Sequence, residues 1–462
     1  MAESQSENAS RGFSRKVTFY EAMRFWLKLG FISFGGPAGQ IAIMHRELVE
    51  RRHWISEKRF LHALNYCMVL PGPEAQQLAT YIGWLLHGTL GGIVAGGLFV
   101  LPSFFILMGL SAVYIEYGDV PVIAAIFEGI KPAVVAIVVS ALVRIGGRAI
   151  RNTVTLGIAV MAFVGLAILH LPFPLIILGA GLLGLVGSRV WPDKFVIVSG
   201  HATKKSSDAP TVPAMLDDDH APPAHARPSW QRVAWLCLIG AVLWGGPICA
   251  LVAAQGITGT HSRMGFFFSV AALVTFGGAY AVLPYVAHQT VEVYGWLKPE
   301  QMIDGLALGE TTPGPLIMVV AFVGFVAGFQ ATELGWTGAV LGAVVATYFT
   351  FLPSFLFIFI GAPYIEQMRG ELRLTAALSG ITAAVVGVIF NLALVFARTT
   401  FCSDVHFSNP IDWSAVISQV DWIGVLIAVA AFVALSRFKL NFLFVILACA
   451  VCGLVRLAVG IA

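Results

Sequence analysis

From Gly91 to Val113 the chain carries no charged side chain, and Val122 to Val143 and Asp421 to Ser436 are nearly as free of charge. A helix needs roughly 20 mostly apolar residues to cross about 30 Å of hydrocarbon, and segments of this kind supply them. Composition removes the soluble alternative. Of 462 residues 58% are hydrophobic and 11% are charged, too little polar surface to cover a water-soluble domain of this length. Strict alternation of apolar and polar residues is absent, so the expected fold is an all-α polytopic membrane protein rather than a barrel. The polar stretch 1–16 lacks an apolar core followed by a small-residue cleavage site, so no cleaved signal peptide is expected.

Inside the apolar pattern lies a duplication. Ser33-Phe34-Gly35-Gly36 returns as Thr275-Phe276-Gly277-Gly278, Trp54 as Trp296, and Pro71-Gly72-Pro73 as Pro313-Gly314-Pro315, all at an offset of 242 residues. Leu101-Pro102-Ser103-Phe104 returns as Leu352-Pro353-Ser354-Phe355 at an offset of 251, which puts nine additional residues within Ala331 to Gly342. Gly129-Ile130 and Val134-Val135 follow at the same 251. Landmarks at a fixed offset mark repeated structural units. The chain is therefore read as an N-terminal membrane repeat (1–190), a polar linker (191–230), a connecting transmembrane helix (231–255) and a C-terminal membrane repeat (256–462). Lys204-Lys205, Asp217-Asp218-Asp219 and several prolines make the linker a solvated, disordered connector.

The placement of Lys and Arg predicts orientation. Arg11, Arg15 and Lys16 precede the first apolar stretch and Arg46, Arg51, Arg52, Lys58 and Arg59 follow it, so both flanks belong in the cytoplasm. A segment that enters, breaks at Gly35-Gly36-Pro37 and returns satisfies both, and the segment broken at Pro71-Gly72-Pro73 does the same. Arg144, Arg148 and Arg151 then fall inside, Glu116 and Asp119 outside, and Arg189 and Lys194 inside. The connecting helix starts the second half on the opposite side. Its loop from His288 to Glu300 holds only Lys298 with Glu292 and Glu300, a loss of positive charge that inversion requires. The expectation is an inverted-topology repeat with nine crossings and four broken, re-entrant hairpins, the N-terminus and linker cytoplasmic and the C-terminus periplasmic.

Gly and Pro in these segments break the helical hydrogen-bond ladder, and free backbone groups at membrane depth are tolerated only beside protein or water. Half-helices starting at Pro37, Pro73 and Pro315 would present N–H groups and a partial positive charge, the arrangement that receives anionic groups in transporters with inverted repeats. Packing and kinking are the bland alternative. Four breaks placed symmetrically favour a site for a small anion, made of Ser33, Gly35, Gly36, Pro37 and Gln40; Pro71, Gly72, Pro73 and Gln76; Thr275, Gly277 and Gly278; and Thr312, Pro313, Gly314 and Pro315. Asn65, Gln77 and Thr311 are further donors nearby. Lys131, within an apolar run, is either a fixed cation for the anion or a partner of Glu128 one turn earlier. Glu74 and Glu310 flank the Pro-Gly-Pro breaks and are candidates for the coupling proton, with helix capping or a buried hydrogen bond as the alternative. Arg24 and Lys28, one turn apart, either guide an anion inward or snorkel to the surface.

Other classes find little support. A net charge of +3 and the lack of basic runs interleaved with aromatics argue against a nucleic-acid partner. The six cysteines are scattered, five of them (Cys67, Cys237, Cys249, Cys449, Cys452) in or beside apolar runs and Cys402 without an obvious partner, and Cys449-x-x-Cys452 sits in the last apolar segment, so neither a disulfide framework nor a redox pair is expected. No haem-attachment motif and no nucleotide-binding glycine motif is present, so a cofactor-dependent enzyme is not expected. No metal site is expected either, His201, His220 and His225 of the linker being the one short His tract that could bind an ion.

Phe34-Gly35-Gly36-Pro37, Pro71-Gly72-Pro73, the paired Leu-Pro-Ser-Phe segments and their recurrence in a second half resemble the chromate ion transporter (CHR) superfamily, in its duplicated long form with antiparallel halves and about thirteen membrane segments. The resemblance covers nearly the whole chain outside the termini and linker. It implies chromate export across the bacterial inner membrane, driven by the proton-motive force and conferring chromate resistance, with protons as coupling ion and sulfate as structural analogue and competitor. Lipid is the obligatory surrounding, and a homodimer is an admissible assembly. Ala279 stands where Pro37 does in the first half, so the halves contribute unequally. A transporter of another oxyanion such as sulfate, an anion channel and a membrane chromate reductase are the rival readings.

Overall fold

The computed structural model describes residues 17–34, 36–190, 215, 216, 226, 228–276, 278–367, 375–402 and 420–460, and over these the chain is helical. The linker positions 191–214 and 217–225, with His201, His220 and His225, and the break residues Gly35 and Gly277 lie outside the described residues. The first half contains α1 (Phe19–Ile32), α2 (Gly36–His45) running into a π-helical turn (Arg46–Arg51), α3 (Glu57–Val69), α4 (Glu74–Tyr117), α5 (Pro121–Ala149), α6 (Thr153–Ala167) and α7 (Phe173–Val190). A connecting helix α8 (Trp230–Gln255) follows. The second half repeats the order: α9 (Thr260–Leu273), α10 (Ala279–His288) with its own π turn (Gln289–Val293), α11 (Pro299–Thr311), α12 (Val319–Gln330), α13 (Gly335–Gln367), α14 (Thr375–Phe401), α15 (Trp422–Ser436) and α16 (Phe442–Val459).

Caps and close glycine contacts build the joints. Thr18 and Ser56 cap α1 and α3 with their hydroxyls, satisfying N–H groups that a helix start leaves unbonded. α4 reverses direction at His87–Gly88, where Gly88 has φ 66° and ψ −158°. Its two limbs then pack antiparallel, so closely that a Cβ on Gly83 would lie 2.4 Å from that of Ala95. In the second half the same hairpin is split into α12 and α13, and a Cβ on Gly324 would lie 2.2 Å from the carbonyl oxygen of Gly342. Small residues that let helix backbones meet are the usual seam where lipid leaves no hydrophobic drive between helices.

Among the described residues seven helices are long and apolar enough to cross a membrane: α4, α5, α7, α8, α13, α14 and α16. Three shorter apolar segments, α6, residues Leu316–Gln330 with α12, and α15, accompany them. The chain is an integral membrane protein. The limbs beside the breaks are shorter. α1 has 14 residues, α2 10 and α3 13, or about 21, 15 and 20 Å at 1.5 Å per residue, less than a bilayer core.

The helices form two bodies. A core holds the broken hairpins, α1–α4 and α9–α13, with α8 against it. A bundle holds three helices from each half, α5–α7 and α14–α16, joined by glycine crossings: a Cβ on Gly387 would lie 2.0 Å from the Ala159 oxygen and one on Gly453 2.0 Å from that of Ala125.

The connector is not free over its whole length, contrary to the sequence expectation of a disordered linker. Met215 and Leu216 add a short parallel bridge to the loop of the first hairpin, with Met215 N–H to His53 O at 3.0 Å and Leu216 N–H to Trp54 O at 3.1 Å. Leu216 and Ala226 are buried there. An apolar pair in a polar stretch finds cover in the nearest core.

Within the core the halves are tied by Arg59 of α3, whose guanidinium meets Glu366 of α13 at 2.7 Å with both side chains almost fully buried. Tyr81 donates to the same carboxylate. Removing one member of such a pair leaves a buried charge uncompensated, at a cost of about 3–5 kcal/mol, whereas replacing both with apolar groups is often neutral. Arg59→Met is therefore expected to lower the unfolding temperature in detergent, and Arg59→Met with Glu366→Met to recover most of the loss. Unchanged melting of the single variant would show that the pair does not hold the halves.

Candidate functional site

The breaks of the two halves cross each other. Gly72 N–H donates to Thr275 O at 2.7 Å, and Gly314 N–H donates to Ser33 O at 2.8 Å. Gly72 and Gly314 are one repeat apart, as are Ser33 and Thr275, so the same bond is made twice with the halves exchanged. A contact i to j repeated as j to i is the mark of two-fold relation. The Leu-Pro-Ser-Phe serines follow the rule: a Cβ on Gly72 would lie 2.4 Å from Ser354 Oγ, and one on Gly314 2.6 Å from Ser103 Cβ. Gly72 and Gly314 have φ 127° and 99°, which L side chains rarely adopt.

These two bonds decide the polarity of the centre. Each break brings a carboxyl end and an amino end of a half-helix together. Ser33 and Thr275 carbonyls are taken by the cross-half bonds, while the first turns of α2, α4 and α10 keep N–H groups without an intrahelical acceptor. Their partial positive charge remains. A Cβ on Gly36 would lie 3.9 Å from the Tyr280 hydroxyl, and one on Gly278 3.8 Å from Glu74 Oε1, so the starts of α2, α4 and α10 are neighbours.

The side chains around them hold polar atoms with nothing to bond. The hydroxyls of Ser33, Ser103 and Ser354 and the amide oxygens of Gln40, Gln76 and Gln77 are buried without a hydrogen-bond partner among the described residues. Buried polar groups in native proteins are almost always satisfied. Three hydroxyl donors and three amide acceptors are what a small oxyanion with part of its water would satisfy.

Of the residues singled out from sequence, the structure gathers Ser33, Gly36, Gln40, Gly72, Glu74, Gly278, Gly314 and Glu310 at this crossing, with Pro37, Pro71, Pro73, Pro313 and Pro315 shaping the turns. Gln40 Nε2 donates to Gly314 O at 2.5 Å and so braces the crossing. Three expected donors are already used. Thr275 Oγ1 donates to Ala271 O at 2.5 Å and Thr312 Oγ1 to Gly309 O at 3.2 Å, because a hydroxyl on a helix finds the preceding turn first, and Gln76 Nε2 donates to Thr80 Oγ1 on the following turn at 3.0 Å. Lys131 is elsewhere: it pairs with Glu128 and lines a cavity of about 360 Å³ with Tyr114, Asp119, Lys298, Gln301 and Asp304, a cavity lined by none of the break residues. Arg24 and Lys28 lie on the exposed face of α1, opposite Phe25, Trp26 and Leu29, and Arg24 stands over Tyr20.

Sequence reasoning missed four groups. Tyr280 donates to Glu310 at 2.7 Å, and Arg144 lies within electrostatic reach of both. Ser103 and Ser354 served as repeat landmarks, and Arg144 as a marker of sidedness. Their pairing across the repeat offset was the signal that could have found the serines; nothing local marks Arg144.

An integral membrane protein made of two like halves, with helix breaks crossed at its centre and buried polar groups left unpartnered beside them, has the architecture of a transporter. The profile of the family described as "Chromate transporter" matches residues 20–185 and 262–454. The chain belongs to the chromate transporter family. It is 33% identical over 432 residues to a chromate transport protein of Pseudomonas aeruginosa, covering 93% of this chain and 90% of the relative. It is 31% identical over 380 residues to a probable chromate transport protein of Synechococcus elongatus, covering 81% and 84%, and 28% identical over 388 residues to a chromate transport protein of Cupriavidus metallidurans, covering 82% and 83%. No solved structure matches significantly.

Forcing a side chain onto the crossing costs strain of about 1–3 kcal/mol and pushes on the opposite half. Gly72→Ala and Gly314→Ala are each expected to reduce substrate flux at least tenfold in protein that still reaches the membrane, a loss equivalent to about 1.4 kcal/mol on the barrier. Gly97→Ala, where an added Cβ meets nothing within 4 Å, serves as the control. Wild-type flux in both break variants would contradict the role given to the crossing.

Proposed function

We propose that the protein exports chromate from the bacterial cytoplasm in exchange for protons, with the oxyanion held at the crossed breaks. The observation that carries this reading is the reciprocal pair of backbone bonds, which takes up the carbonyls and leaves helix amino ends beside three unpartnered hydroxyls. A tetrahedral dianion matches such a donor set, and the family's relatives named for chromate transport supply the substrate. Sulfate has the same shape and charge and is the expected competitor.

Glu74 and Glu310 are the proposed proton carriers. Glu74 faces Gly278 at the crossing, and Glu310 sits one hydrogen bond away through Tyr280. A carboxylate near a bound dianion is repelled by it, so the charge state of Glu74 and Glu310 and the occupancy of the crossing by the anion are linked. Arg144 offers the fixed cation that Lys131, paired with Glu128, does not bring to the crossing.

The grouping of the loops supports one sidedness. The cavities lined by Leu166–His170, His288, Glu300 and Arg398, and by Asp119, Lys298 and Gln330, collect loops poor in Lys and Arg. Val17, the His53–Ser56 loop, Met215–Leu216 and the end of α13 gather at the basic end. The positive-inside tendency then supports a cytoplasmic first hairpin and linker, inverted halves and a periplasmic C-terminus in the inner membrane.

Inverted inner-membrane vesicles containing the protein are expected to accumulate chromate when an inward-acid gradient is imposed, and excess sulfate is expected to suppress it. Flux that ignores the gradient would point to a channel. Sulfate accumulation with no chromate accumulation would replace the substrate and leave the site.

A further inference from the structure

The core has a two-fold plan, but the bundle does not sit on it evenly. α10 packs on α14, and α11 packs on α5 and α14; their counterparts α2 and α3 make no comparable contact with the bundle. Exposure at matched positions records the same difference. Leu283, Ala307 and Glu310 are 0%, 1% and 7% exposed. At an offset of 242 their matches are Ile41, Asn65 and Met68, of which Asn65 is exposed, Ile41 half-buried and Met68 44% exposed. Both cavities between the bodies, about 450 and 360 Å³, open beside α10 and α11, toward the loops poor in positive charge.

The bundle itself repeats: α5 matches α14, α6 matches α15, and α7 matches α16. Asn152 and Asp421 cap α6 and α15 alike, and Phe173 and Phe442 open α7 and α16. A body with this pseudo-symmetry, seated on α10 and α11, finds the same seat repeated on α2 and α3. We propose that the open face of α2 and α3 is a second docking surface for the six-helix bundle of the same chain, and that movement between the two seats exposes the crossed breaks to opposite sides of the membrane. The inference rests on the transporter reading above and adds the contacts that define the other state.

Those contacts follow by exchange of halves. In the observed seat Phe173 of α7 stacks on Tyr285 of α10, with ring centroids 5.1 Å apart. The matching pair is Phe442 of α16 and Ile43 of α2, apolar on apolar. Lys131 and Asp304 share a cavity in the observed seat; their matches are Thr382 and His62. Arg144 near Tyr280 and Glu310 has no charged equivalent, since Ala38 and Met68 stand opposite Val395. The second seat is thus the more apolar of the two, and proton and anion binding at the crossing bear on the first. Permanent cover by lipid is the competing account of the same face, and it keeps these pairs apart.

The test places cysteine pairs in the full chain with its own cysteines replaced and a protease site inserted in the 191–214 segment, so that cross-linked halves stay joined on a denaturing gel after cleavage. Phe173→Cys with Tyr285→Cys reports the observed seat. Ile43→Cys with Phe442→Cys, and independently His62→Cys with Thr382→Cys, report the second. In native membranes with a short bifunctional thiol reagent, all three pairs are expected to join the halves, and locking either seat is expected to abolish flux. Joining by the first pair alone, with or without chromate, would overturn the second seat. The gel readout does not depend on the substrate: cross-links at both seats in a protein that moves no chromate would refute the substrate and keep the motion.

Discussion

Two backbone hydrogen bonds, Gly72 N–H to Thr275 O and Gly314 N–H to Ser33 O, hold the arrangement on which the rest depends. In lipid every backbone polar group must find a partner inside the protein, and a helix break exposes several at once. Each half of this chain breaks twice, and the carbonyl freed by one half's first break is satisfied by the glycine of the other half's second. Neither half can meet its backbone demands alone. Interlocking the halves solves a hydrogen-bonding problem, and helix amino ends with unpartnered hydroxyls beside them are what remains when it is solved.

That constraint explains the residues around it. Positive φ at Gly72 and Gly314 turns their N–H groups toward the opposite half, and the serines of the Leu-Pro-Ser-Phe segments fill the space that a missing Cβ leaves. Arg59 and Glu366 join the halves again at one end of the core. The equivalent positions at the other end, Gln301 and Ile115, cannot form an ion pair and line a cavity instead. The two ends of a pseudo-symmetric core are therefore unlike in charge.

Much of the fold was legible because lipid imposes strong rules on sequence. Long uncharged runs marked the crossing helices, constant offsets marked the halves, and Gly-Gly-Pro and Pro-Gly-Pro marked the breaks. The site was legible only in outline. Glycines and prolines announce where a chain breaks, but not which carbonyl the freed N–H will meet, since the partner lies some 200 residues or more away in the other half. Thr275, Thr312 and Gln76 look like ligands in sequence, yet the two threonines spend their hydrogens on the preceding helical turn and Gln76 donates to Thr80 on the following one. Lys131 stood out as a lone charge among apolar residues, but Glu128 on the same face occupies it. Arg144 stood in a basic cluster that orientation alone accounts for, and only the packing of α5 on α11 brings it toward Glu310.

The central claim is that the substrate sits where the breaks cross. Diffraction from chromate-soaked crystals at the chromium absorption edge would locate the metal directly through its anomalous signal. The account requires a peak between the starts of α2, α4 and α10, within hydrogen-bonding distance of oxyanion oxygens to Ser33, Ser103 or Ser354. A peak confined to the outer cavities, beside Lys131 or His288, with none at the crossing, would contradict it.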